Sequence, residues 1–300
     1  MIDVSIIFVN YKTWELTKEC IDSIIRNSKD FTYEIIVVDN NSNDGSVENL
    51  QKVPNVRVIQ SDENVGFGRA NNIGAKAANG KYLFLLNSDT YLLNNAIKFL
   101  FDYYERNSFH KNLGAVGCWL KHPDDSITTS FSYFPSIWNN WRHLFNYINC
   151  HLMKRNVLKE AHDNFEVNVI SGADIFISKD LYLSIGGYDK DYFMYGEEAE
   201  LQYRLHKQGY HNFLIKDPSI VHLEGASSGN QGKKKASFFM IYHMKKGRFL
   251  FYWKHKSLLQ RILVAIADFP IDVCFAIIDK RFCHRKSEFF RIYSILLYGK

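Results

Sequence analysis

The sequence predicts an α/β fold, a mostly parallel, doubly wound sheet flanked by helices, followed by a helical C-terminal appendage. Three observations carry that prediction. Short continuous apolar runs recur at residues 4–9, 34–38, 56–60 and 82–86, as expected of strands buried on both faces. Segments with helical features separate them, which is the βαβ pattern of a parallel sheet. Three of the four runs end in polar clusters, and in such a sheet those ends gather at one edge, where open α/β sheets bind ligands.

The elements follow in order. After the first run, Thr13 is placed as a helix N-cap, and Trp14, Thr17, Ile21, Ile24 and Ile25 recur at helical spacing. The second run ends in DNNSNDGS, residues 39–46, and the third follows a short helix or turn. Gly66 and Gly68 precede an alanine-rich helix over 69–78 that Gly80 closes. The fourth run, in KYLFLLNSDT, stops at Asn87, Ser88 and Asp89. A helix is expected over 94–107, a strand over 113–120 and a loop over 121–135. Residues 137–163 carry Trp138, Trp141, Phe145 and Tyr147 without a clean period and read as an insertion lining a cleft. Strands over 167–170 and 173–177 precede a turn at Gly186 and Gly187, and GEEAELQYRL begins a further helix whose acidic first turn suits the helix dipole. Short strands are expected at 212–215 and 219–222, and the glycine- and lysine-rich stretch 225–235 marks a boundary.

Composition sets the limits. Three hundred residues suffice for one large domain and an appendage, with 46% hydrophobic residues and 15% aromatic, most simply used in a thick core. The formal charge of +5 is unevenly spread: from Lys233 onward 15 Lys and Arg face 4 Asp and Glu, so that tail carries +11 and residues 1–232 carry −6. A basic tail beside an acidic body suits an anionic membrane surface, although a solvated basic face accounts for the same residues. With the basic charge confined to the tail and no recognition module visible, nucleic-acid binding is excluded as the main activity. The five cysteines are scattered without CxxC spacing, which fits a reducing compartment and yields neither a zinc site nor a disulfide framework. MIDVSIIFVN begins a strand at once, so no signal peptide is expected. Residues 257–279 are apolar but interrupted by Arg261, Asp268, Pro270 and Asp272, which predicts amphipathic helices on a bilayer surface or against the main domain, not a span.

Asn87 and Asp89 stand two apart on an extended chain, so an amide and a carboxylate can face one metal-bound phosphate. Asp39 holds a similar strand-end position, where an Asp also commonly forms a turn through its side chain.

Taken in order, VSIIFVNYK, EIIVVDNNSNDGS, ENVGFGRANNIGAKAANGKYLFLLNSDT, SGADIFISKD, GGYDKDYFMYGEEAELQYRL and VHLEGASS resemble the GT-A glycosyltransferases of family 2, in particular the bacterial rhamnosyltransferase-like branch that builds cell-surface polysaccharide. The resemblance spans roughly residues 3–225. It implies a GT-A domain over 1–232, with a nucleotide-binding half to about 112 and an acceptor half over 113–232, ahead of a tail over 233–300. It further implies that Tyr11 and Asp39 hold the nucleoside, that Arg69 lies near the nucleotide, and that Asn87, Ser88 and Asp89 stand where the family has its DxD motif. That motif holds Mn²⁺ or Mg²⁺ against the diphosphate of a UDP- or dTDP-sugar and offsets the charge of the leaving group. Asn in place of the first Asp makes Asp89 the principal protein ligand, and His222 matches a His that closes such a site.

Glu198 occupies the place of the family's general base, an Asp at a helix start, with Glu197 as the second candidate and helix capping as the plain reading. Arg204 matches the basic residue after that motif and is expected to pair with these carboxylates. Inversion at the anomeric carbon follows, with transfer to a glycan or lipid-linked saccharide. The expected place is the cytoplasm, peripheral on the inner face of the membrane, with Lys233–Lys235 as an anion-binding loop and Tyr252 and Trp253 as interface anchors. An interface between subunits of a homo-oligomer would use the same tail residues. Two rival readings differ in class: a nucleotide-sugar or carbohydrate-binding protein without turnover, suggested by Asn87 and Glu198, and a sugar nucleotidyltransferase, disfavoured because VNYKTWELT offers no Gly-rich basic phosphate loop.

Overall fold

Three of the four apolar runs, strands β1 (Val4–Asn10), β2 (Tyr33–Asp39) and β4 (Tyr82–Leu86), are buried almost throughout, whereas the run over 56–60, expected to be buried on both faces, is an edge strand with no fully buried residue. Alternate side chains feed two cores, because successive residues of a strand face opposite ways. Ile6, Phe8, Val37 and Phe84 join α1 (Trp14–Asn27), through Cys20, Ile21 and Ile24, on one face. On the other, Ile7, Ile36, Val38, Leu83 and Leu85 pack with Ala70 and Ala75 of α3 (Phe67–Ala77). Helix α3 rides close on β1: a Cβ at Gly74 would lie 2.6 Å from Ile7 Cγ2. The computed structural model describes residues 2–108, 112–136, 164–225, 237–282 and 285–299. The insertion expected over 137–163 and the lysine loop Lys233–Lys235 lie outside them.

The remaining elements are α2 (Ser46–Leu50), β3 (Val56–Gln60), β5 (Thr90–Leu92), α4 (Ala96–Asn107), β6 (Leu113–Lys121), β7 (Phe131–Ser132), β8 (Phe165–Val167), β9 (Val169–Ile170) and β10 (Asp174–Ser178). Then come α5 (Lys179–Ser184), α6 (Glu197–Lys207), β11 (His211–His222), α7 (Phe238–His255), α8 (Leu258–Ile278), α9 (Lys286–Arg291) and α10 (Tyr293–Tyr298). The main sheet runs β3-β2-β1-β4-β10-β6-β11-β5, with β8 beside β11, and β7 pairs with β9 in a small second sheet. Strands β3, β2, β1 and β4 are mutually parallel, whereas β10 is antiparallel to both β4 and β6. The sheet is therefore mixed beyond its nucleotide half.

Several local expectations shift. The short strands expected at 212–215 and 219–222 form one strand, β11, whose register against β6 slips between Ile215 and Ile220. The loop expected over 121–135 contains β7. Thr13 is the N-cap residue of α1 but makes no capping hydrogen bond; its hydroxyl donates to Asn10 Oδ1 at 3.3 Å.

The C-terminal helices form a third core with Phe238, Phe249, Phe282, Phe289 and Ile295, and Tyr192 joins it from the acceptor half. Helix α7 presses on the turn before α6 so closely that a Cβ at Gly247 would lie 2.1 Å from the Tyr195 carbonyl oxygen. Lys254 bridges Asp189 at 2.8 Å and Asp191 at 2.5 Å, and His255 Nε2 meets Glu200 Oε1 at 3.1 Å. Tyr252, expected at a membrane interface, is buried in this core instead. No helix among the described residues is long and apolar enough to cross a membrane.

Candidate active site

Parallel pairing puts the carboxyl ends of β1, β2 and β4 on one edge. Asn10 pairs in register with Asp39, and Thr13 Oγ1 lies 3.5 Å from Ser88 Oγ, joining the end of β1 to the segment after β4. Because β10 runs the other way, its first residue, Asp174, opposes Leu86 and enters the same edge. His222, at the end of β11, pairs in register with Thr90.

The nucleotide side is closed by hydrogen bonds. Asp39 is fully buried: Oδ1 accepts from Asn10 Nδ2 at 2.7 Å and from the Ser42 hydroxyl at 2.5 Å, and Oδ2 from the Ser42 amide at 3.0 Å. This carboxylate thus shapes the turn after β2. Tyr11 stands exposed beyond β1 with Lys12 Nζ 5.5 Å from its ring centroid. Arg69 is exposed on α3 and donates from Nε to the Lys190 carbonyl at 2.7 Å, tying the first half to the loop before α6.

On the other side, Asp89 is buried, and its Oδ1 lies 3.4 Å from His222 Nε2. Burial disfavours the charged imidazole, but the Asp89 carboxylate, with Glu224 and Asp174 behind it, holds the pKa of His222 above its ordinary value. Asn87 donates its amide to the Ala173 carbonyl at 3.0 Å. Among the described residues no group of three or more His, Cys, Asp or Glu stands in metal-ligand geometry. Asp89 and His222 stand as a pair, and His222 Nδ1 is buried without a hydrogen-bond partner.

Helix α6 brings the glutamates to this edge. Gln202 clamps it to β9 by accepting from the Ile170 amide at 2.7 Å and donating to the Ile170 carbonyl at 2.9 Å. Gly196, with φ 96°, begins the helix, and its amide donates to Glu198 Oε2 at 3.1 Å. Glu198 is half-buried over Gly172, where a Cβ would lie 3.7 Å from Glu198 Cβ. Glu197 is buried against Gly68 of α3, and its Oε2 has no hydrogen-bond partner. Burial raises both carboxyl pKa values, and the charge of Glu198 raises that of Glu197 further. Arg204 does not pair with either; its Nε and Nη2 bind Glu200 at 2.8 and 2.7 Å, and the guanidinium also donates to the Ile185 and Gly187 carbonyls. Spacing explains this, since Arg204 lies one helical turn from Glu200 and nearly two from Glu197.

Two residues were missed by sequence reasoning. Asp174 is fully buried: its Oδ2 accepts from the Cys118 amide at 2.7 Å, Oδ1 has no partner, and burial pushes its pKa to about 7. Its one signal is a lone carboxylate heading the apolar run DIFIS, which means little until β10 is known to be antiparallel. Tyr195 takes a left-handed φ of 66°, and its phenol pKa is raised by burial and then by the charges of Glu197, Asp89 and Glu198. That phenol lies within electrostatic reach of both acidic groups.

A doubly wound sheet with acidic residues at its ligand edge and two glutamates at a helix start above it is the arrangement of a sugar-transferring α/β enzyme. The family model for glycosyl transferase family 2 matches residues 5–181. The chain belongs to that family, and it is a glycosyltransferase. An N-acetylglucosaminyl-diphospho-decaprenol L-rhamnosyltransferase of Mycobacterium tuberculosis is 26% identical over 235 residues, covering 72% of this chain and 74% of the relative. The O-antigen biosynthesis protein RfbC of Myxococcus xanthus is 24% identical over 76% of this chain but only 18% of its own length. Among solved structures, GalNAc-T7 with UDP, GalNAc and Mn²⁺ superposes with a TM-score of 0.60 at 14% identity, covering 85% of this chain and 49% of that one. TarS of S. aureus superposes with a TM-score of 0.55 at 14% identity, covering 91% of this chain and 44% of that one. At such identities the structural likeness concerns the fold alone.

Proposed function

We propose that this family 2 enzyme transfers a sugar, with inversion, from a UDP- or dTDP-sugar to a saccharide or lipid-linked acceptor in cell-surface polysaccharide synthesis. The observation that supports this most is that the charges of Asp89, whose carboxylate stands 3.4 Å from His222, and of Glu197 and Glu198 all reach the Tyr195 phenol. Residues 1–232 form the catalytic unit in this reading, and 233–300 a tail that brings it to the inner face of the cytoplasmic membrane.

Tyr11 and Asp39 receive the nucleoside, Asp39 acting both directly and by holding the Ser42 turn. Arg69 and Asn87 flank the diphosphate. Asp89 and His222 would hold Mn²⁺ or Mg²⁺, which would supply charge neutralisation for the departing nucleoside diphosphate. The two side chains fit that task, since one offers a buried carboxylate and the other a partly buried imidazole.

Glu198 takes the proton of the attacking acceptor hydroxyl. Glu198 is the less buried residue of the pair, and its raised pKa makes it a better base than a solvated Glu. Glu197, more deeply buried, retains its proton and spares the pair a second negative charge.

A panel of nucleotide sugars tests this, with and without Mn²⁺ or Mg²⁺, read by thermal shift and then by hydrolysis or transfer. Stabilisation by one nucleoside diphosphate with metal, followed by turnover of its sugar, is the expected result. Stabilisation without any turnover would favour a binding protein of the same fold, and no response to any nucleotide would sink both readings.

A further inference from the structure

Helix α8 is polarised in the opposite sense to a helix that meets water. Its acidic residues, Asp268 and Asp272, point inward and are buried, where Lys245 Nζ bridges them at 2.8 and 2.6 Å and Arg248 pairs with Asp268. Tyr293 of α10 donates its hydroxyl to Asp272. The opposite face carries Leu259, Ile262, Leu263, Ile266, Phe269 and Ile277, spaced to share one stripe and exposed by 39 to 69%. Beside the stripe, Ala265, Ile266, Phe269, Pro270 and Tyr293 line an apolar recess of about 400 Å³. A contiguous apolar stripe of this kind marks an interaction surface.

We infer that this face of α8 lies in the headgroup and acyl boundary of an anionic phospholipid bilayer, with an acyl chain in the recess. The inference deepens, and rests on, the membrane part of the proposed function. Charge decides the occupant: residues 233–300 carry +11, and Arg285, Lys286 and Arg291 are exposed beside the helix in sequence. An anionic surface attracts such a tail, whereas a second copy carrying the same +11 repels it. Buried, paired acids with apolar residues outside are what a hydrocarbon environment requires. Because no described helix can cross a membrane, α8 lies along the surface.

The test is flotation of the full chain with phosphatidylcholine vesicles containing or lacking phosphatidylglycerol, beside sedimentation without vesicles. The chain should float with the anionic vesicles and sediment as a monomer. Leu259→Glu/Ile266→Glu, changing residues 66% and 65% exposed, should weaken partitioning at least about tenfold, while Leu93→Glu on the main domain, 50% exposed in the native chain, leaves it unchanged. Equal flotation of the double variant, or no flotation of the native chain, overturns the inference. So does a native dimer that the double variant dissolves, which would assign the face to a second copy. Metal-dependent hydrolysis of a nucleotide sugar, measured without vesicles, reads the catalytic proposal separately, so failure of either stands apart from the other.

Discussion

At the end of β2, both oxygens of Asp39 accept hydrogen bonds, from Asn10 and Ser42; at the start of β10 and of α6, Asp174 and Glu197 each bury a carboxylate oxygen with no donor. The first region has the electrostatics of a finished structure. Burial instead drives the carboxyl pKa values of the second upward, and at Asp174 it outweighs the opposing Cys118 amide and His222. The difference teaches where the site is pre-formed and where it awaits a ligand. In the proposed function the end assigned to the nucleoside is already hydrogen-bonded in the free protein, while the end assigned to the reaction gathers acidic groups whose proposed counterpart is a cation and a sugar.

Removing the ligand side should have the largest effect. Asp89→Ala takes away the main metal ligand, and metal-dependent binding of the nucleoside diphosphate, followed by calorimetry, should weaken by about 100-fold or more. Metal-independent binding through Asp39 and Tyr11 should persist; an unchanged metal response would break the contrast.

The pre-formed side predicts a loss of stability. Asp39→Ala leaves the Ser42 amide and hydroxyl without their acceptor and the Asn10 amide with only Ser42 Oγ, at a cost of about 1–3 kcal/mol in chemical denaturation. A neutral result would mean that the turn does not depend on this carboxylate.

Asp174 gives the smallest and most specific effect. With its pKa near 7 in the fold against 3.8 when solvated, the folded chain keeps a proton that the unfolded chain has lost between those values, so stability falls as pH rises through that window. The substitution Asp174→Asn removes the titration yet leaves a side-chain oxygen to accept from the Cys118 amide. The melting temperature of this variant, relative to the native chain, should therefore be higher at pH 8 than at pH 5; a pH-independent difference would contradict the assignment.

The α/β class, the four nucleotide-half strands and the clustering of polar ends were legible in the sequence: three of the strands are runs buried on both faces, which need no tertiary knowledge to recognise, whereas β3 was found by its apolar residues but its exposure as an edge strand was not. Glu198, Asp89 and His222 were singled out through ordered motifs, and the proposed function assigns their roles. What escaped depends on chain direction and on packing. Asp174 reaches the edge only because β10 is antiparallel, and Arg204 turns to Glu200 because the neighbouring turn brings the Ile185 and Gly187 carbonyls to its guanidinium. The tail was legible as basic and apolar. Its inside-out helix, and the burial of Tyr252, needed the positions of Lys245 and the surrounding aromatic core.

The central claim is that Glu198 acts on the acceptor and not on the donor. The most direct measurement compares Glu198→Gln with the native chain in nucleoside diphosphate affinity and in the rate of sugar transfer. Affinity should be preserved while transfer falls by about 10²–10⁴-fold. A Glu198→Gln enzyme that transfers at the native rate would contradict the account and move the base to Glu197 or elsewhere.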